Sequence, residues 1–150
     1  MNASARTTTS RALAVSGTAI TGIPLAAPLA LALVSVASTG QLRFDALMPG
    51  ELFVVVLVGA AVTMAAAFVA DRLSIVAGVL AAAAVVSFGG TIWIADATGL
   101  ASGATPPAGA PLLLMIAPYA VYVISVIGLF ITGAALCRAT FSDSLHPGHA

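Results

Sequence analysis

Residues able to perform chemistry are sparse in this chain and lie far apart. Tyr119, Tyr122 and Ser125 fall within half the circumference of a helix, where two phenols and an alcohol form a wall for an amphipathic small molecule. The same groups serve equally well to join one helix to another by hydrogen bonds. Cys137 is a lone thiol beside Arg138 and forms no internal disulfide. His146 and His149 offer at most two metal ligands near the chain end, where a structural centre takes about four. Neither a metal nor any other cofactor is expected.

Other chemistries are disfavoured by what the apolar stretches lack. Ser87 and Ser125 have no His or Asp at comparable depth to act as a base, so a hydrolase is not supported. Haem ligation wants axial His or Met from facing helices, yet the long apolar stretches contain no His, and Met64 and Met115 stand alone. Quinone-linked thiol chemistry needs a cysteine pair. Proton-coupled export by a small four-helix protein wants a carboxylate at mid-depth, and Glu51, Asp71 and Asp96 all fall at the ends of apolar runs. The expectation is a protein that is not an enzyme.

The elements that would position these residues are legible in the composition. The 150 residues are 61% hydrophobic and 7% charged, against about 25% charged in a soluble domain. A mean hydropathy of +1.14 would leave a soluble fold with large exposed apolar patches. Four stretches have the roughly 20 apolar residues needed to cross a bilayer: Ala12 to Ser38, Leu52 to Ala70, Leu73 to Ala95, and Pro111 to Leu136. The fold class is therefore all-α, an integral membrane four-helix up-down bundle. Residues 1–11 form an N-terminal segment, 12–136 the four-span domain and 137–150 a flexible tail.

The joints between spans are of three kinds. Arg43, Asp45, Pro49, Gly50 and Glu51 mark a short polar loop. Asp71-Arg72 must be a tight turn, because a continuous helix from Leu52 to Ala95 would be ~66 Å long, twice the bilayer core. Ser74 is the expected N-cap after it. Asp96 to Ala110 is rich in Gly, Ala, Thr and Pro and reads as a flexible surface loop. Arg6, Arg11, Arg72 and Arg138 fall on one side of the membrane, with Arg43 alone on the other. The positive-inside rule then makes both termini cytoplasmic and the protein a multi-pass protein of the plasma membrane, with Trp93 at the outer interface. Span one is expected to be retained, because about 27 residues is long for a signal-peptide core of roughly 7–15.

Within a bilayer, small residues allow helices to approach. Gly59, Thr63 and Ala67 line one stripe of span two, Gly78 and Ala82 one of span three, and the two stripes predict a close antiparallel hairpin. Span one carries Pro24 and Pro28, which deprive the carbonyls of Ile20 and Pro24 of their amide partners. A kink is expected there, with Thr18 and Thr21 helping to satisfy the freed groups.

The run Ser87-Phe88-Gly89-Gly90-Thr91 resembles five residues of the glycine-rich motif of bacterial fluoride channels, which are also small four-helix proteins. The Thr-Thr-Phe-Ser continuation of that motif is replaced by Ile92-Trp93-Ile94, and no span holds the Asn those channels use, so their activity is not inferred. The function expected is that of an accessory or structural subunit, packed against another membrane protein or itself within the lipid bilayer. A nucleic-acid partner is not expected, since the charges balance and no basic patch stands out. The alternative is an oligomeric channel or transporter for a neutral or lipophilic solute, held between Pro24/Pro28 and the wall of Tyr119, Tyr122 and Ser125.

Overall fold

Apolar runs bounded by polar, Gly- or Pro-containing joints fold as four α-helices in a computed structural model that describes residues 3–39, 52–106 and 108–142. They are α1 (Ala3–Thr39), α2 (Leu52–Ala70), α3 (Ser74–Ala97) and α4 (Gly109–Ser142), and no strand occurs among the described residues. Each is long and apolar enough to cross a membrane. The expected polar loop around Arg43 to Glu51 and the tail from Asp143, with His146 and His149, lie outside the described residues.

Side-chain contacts give the arrangement. Gly17 faces Thr63 while Thr21 faces Gly59, so α1 and α2 are antiparallel. Gly22 lies against Phe130 and Gly133 against Thr18, which makes α1 antiparallel to α4 as well. Leu80 covers Gly128 and Phe88 meets Tyr122, so α3 runs against α4. The main pairings are α1 with α2 and α3 with α4. At the end shared by the α2–α3 turn, Ala14, Ala66, Ala67, Ala77 and Leu136 close a small core.

The α2–α3 turn has a different chemistry from the one expected of Ser74. Asp71 (φ 53°) sits left-handed after α2. Its amide bonds Phe68 O at 3.2 Å, and the Arg72 amide reaches back to Ala67 O at 3.1 Å. That pair of bonds is a Schellman cap, with aspartate in the place glycine commonly takes. Leu73 (φ 58°) is then the N-cap of α3, with no side-chain cap bond, and Ser74 is already helical. The reversal is complete before Ser74, which leaves its hydroxyl no capping role. The segment after α3 is held by its own bonds: Thr105 Oγ1 donates to Thr98 O at 2.7 Å, and the Thr105 amide to Gly99 O.

The interior and exterior are composed unlike those of a soluble domain. Among the described residues six of the ten buried hydrophobic ones are alanine, and the seven buried polar ones are all Ser or Thr. The bulky aliphatics face outward, with Ile75 81% and Leu33 72% exposed. Small residues inside and large ones outside is the pattern of helices that associate by close backbone approach.

The helices also differ in reach. The 19 residues of α2 extend ~28 Å, whereas the 37 of α1 extend ~55 Å. Given the Thr21–Gly59 level, α2 begins opposite Pro28, and α1 runs on without it. Accordingly Ser10, Ala14, Gly17 and Thr21 of α1 are buried, and no described residue of α1 beyond Thr21 is.

Candidate functional site

Tyr119 and Tyr122 stand one turn apart on α4, their ring centroids 6.1 Å apart. Tyr122 also meets Phe88 of α3 at 5.2 Å and Phe53 of α2 at 6.3 Å, both tilted. Phe53 and Phe88 stack on each other at 3.9 Å with 13° between their planes. Four rings from three helices thus fill one level of the bundle, and such pairs contribute about 0.5–1.5 kcal/mol each beyond the area they bury. Ser125, a turn deeper, is buried, and its Oγ donates to Val121 O at 2.8 Å within its own helix.

The other half of the expected solute site lies on α1. Pro24 and Pro28 are half-buried in α1, which continues as helix through both. Thr18 and Thr21 do not serve the carbonyls freed by the prolines. Thr18 Oγ1 donates to Ala14 O at 2.7 Å and Thr21 Oγ1 to Gly17 O at 2.8 Å, the nearest carbonyls one turn back. The rings that meet Tyr122 come from α2, α3 and its own helix.

The small-residue stripe of span two packs, but on a different partner. Gly59, Thr63 and Ala67 are buried, and they face α1. A Cβ at Gly59 would lie 2.6 Å from Thr21 Oγ1 and 3.0 Å from its backbone N. Reciprocally, a Cβ at Gly17 would lie 2.7 Å from Thr63 Oγ1 and 3.0 Å from the Thr63 backbone N. Two Gly-x-x-x-Thr sequences, running in opposite directions, interlock. Thr63 Oγ1 is buried with no hydrogen-bond partner among the described residues, and it faces the Gly17 Cα–H, a weak donor common at helix interfaces. A third contact repeats the pairing, since a Cβ at Gly133 would lie 2.5 Å from Thr18 Oγ1.

The predicted close hairpin between the stripes of spans two and three is therefore not formed. Ala82 is exposed, and a Cβ at Gly78 would meet nothing within 4 Å. The stacked Phe53 and Phe88 rings lie between α2 and α3, and their bulk sets a wider spacing than a glycine–alanine seam requires. Phe53 was not singled out from sequence, and Phe88 only as part of a glycine-rich run. The signal was there in principle: with up-down spans, Phe53, Phe88 and Tyr122 fall at one depth. Recognising it needs the order of the helices around the bundle.

At the end where α1 enters and α4 leaves, Arg11 Nε donates to Thr140 O at 2.9 Å. The guanidinium carbon lies 5.2 Å from the centroid of the Phe141 ring. Cys137 Sγ is 3.6 Å from Thr18 Oγ1. Among the described residues no group of three or more His, Cys, Asp and Glu is placed to hold a metal ion. Rings packed on rings and glycines seated on threonines join the helices, while hydroxyls such as those of Thr21 and Ser125 bond within their own. Comparison with protein-family models, with curated proteins and with solved structures gives no match.

Proposed function

We propose that this chain is a multi-pass protein of the plasma membrane that acts as an accessory or structural subunit, by lateral packing against another membrane protein or a second copy of itself. The observation that carries the reading is the inverted distribution of residues. Alanine, serine and threonine are inside, and large aliphatic side chains cover the outside of all four helices. In water such a surface would aggregate. In lipid it costs nothing, and helix association then rests on the close contacts that the Gly–Thr pairs supply.

Orientation follows from charge. Arg11, Arg72 and Arg138 belong to the end where α1 starts, the α2–α3 turn lies and α4 finishes. By the positive-inside rule that end, with both termini, is cytoplasmic. Trp93, 72% exposed near the other end of α3, suits the outer aromatic belt.

The accessory reading is supported over solute transport by the state of the candidate wall. Tyr122 is packed against Phe53 and Phe88, and the Ser125 hydroxyl is engaged within α4. The deciding experiment is native mass spectrometry of the tagged protein, extracted gently from its own host. A stoichiometric complex with a larger membrane protein is the expected result. Recovery as a homo-oligomer with a retained small molecule would overturn it in favour of transport.

A further inference from the structure

Two guanidinium groups at the α1/α4 end have donors with no acceptor among the described residues. Arg11 is half-buried, and two contacts fix its plane: the Nε bond to Thr140 O and the Phe141 ring beneath it. These spend one of five N–H groups. The four on the terminal nitrogens have no acceptor among the described residues, and Arg11 makes no ion pair there. Arg138 is exposed and stands three residues before Phe141, hence beside it on the same face of α4. Its guanidinium likewise has no hydrogen-bond or ion-pair partner among the described residues.

A guanidinium held still yet unsatisfied is pre-organised for an oxyanion, because ordering it costs little on binding. The surface leading away from the pair is apolar. Ala134, Ile131 and Ile127 are exposed and continue the face of Arg138 at helical spacing, with the small Ala134 next to the charge. Basic groups on two neighbouring helices at one end, above an apolar track, suit a phospholipid with a negative headgroup.

We infer that Arg11 and Arg138 form a binding site for an anionic phospholipid, with the phosphate between the two guanidinium groups and an acyl chain along Ala134, Ile131 and Ile127. The inference rests on the membrane reading above. It differs from general surface attraction in that two named residues carry it.

The test begins with an alkaline carbonate wash of membranes from the expressing host. Release of the protein into the wash would overturn the membrane reading itself. For protein that stays with the membrane, native mass spectrometry of the purified chain compares phosphatidylglycerol with phosphatidylcholine of the same acyl chains. Preferential retention of phosphatidylglycerol is expected, and Arg138→Gln should lower it about fivefold while leaving phosphatidylcholine unchanged. Arg11→Lys, which keeps the charge but loses the planar fork, should weaken it too, with the melting temperature recorded to show that the fold persists. Arg72→Gln, at the same end on the α2–α3 turn, should have no effect. Equal retention of the two lipids, or an equal loss on Arg72→Gln, would overturn the inference. So would displacement of the lipid by millimolar inorganic phosphate, because a free anion would then be the ligand.

Discussion

Gly59 offers the most direct test of how closely α1 and α2 approach. In Gly59→Ala the new methyl would lie 2.6 Å from Thr21 Oγ1, 3.0 Å from Thr21 N and 3.2 Å from its Cα. The hydroxyl can turn away, but the backbone cannot, so the two helices must separate along the seam. Overpacking of this kind costs about 1–3 kcal/mol. Replacing a helical glycine by alanine offsets up to about 1 kcal/mol of that. The matched control is Gly78→Ala, whose methyl meets nothing within 4 Å and which therefore has only the favourable contribution. Propensity cancels between the two variants, leaving a difference of about 1–3 kcal/mol that reports the contact alone. Equilibrium unfolding in mixed micelles, followed by helical circular dichroism, measures it. Thr21→Ala in the Gly59→Ala background should recover only part of the loss, since the backbone at 3.0 Å remains. Equal stabilities of Gly59→Ala and Gly78→Ala would refute the interlocked seam.

Three further outcomes are expected. Tyr122→Phe should be near neutral, whereas Tyr122→Ala, which loses three ring contacts, should cost about 1.5–4.5 kcal/mol in the same unfolding assay. Thr18→Cys should form a disulfide with Cys137 under mild oxidation, given the 3.6 Å between Thr18 Oγ1 and Cys137 Sγ, and a reducible gel shift on the monomer reads it out. In a Cys137→Ala background, a cysteine at Ser102 should react with an impermeant reagent outside intact cells and one at Ser144 should not; the reverse pattern would invert the orientation.

Much of the fold was legible in the sequence because long uncharged apolar runs and backbone hydrogen bonding leave so few options. A run such as Leu52 to Ala70, 19 residues without a charge, is bounded by the same residues in the structure. The turn at Asp71-Arg72 was forced by length alone, although its cap is made by Asp71 and Leu73 in left-handed conformation and not by Ser74. The end residues of α1 and α4 were harder. Both helices extend beyond the apolar stretch, to Ala3 and Ser142, since helical hydrogen bonding continues where hydropathy fades.

The candidate site was read less well, for a reason that applies to any helical bundle. Periodicity identifies which residues of a helix share a face, and the stripe of Gly59, Thr63 and Ala67 is indeed one buried face. It carries no information about the helix on the other side. Sequence proximity suggested α3, and the glycine–threonine fit selected α1. The same limit hid the contact of Tyr122 with Phe53 and Phe88. By itself the sequence determined the number of helices, their spans and the small, hydroxyl-bearing faces, because those depend on local hydrogen bonding and on transfer from water. Only tertiary structure decided which faces meet, because close packing discriminates among partners by shape at distances of a few ångströms.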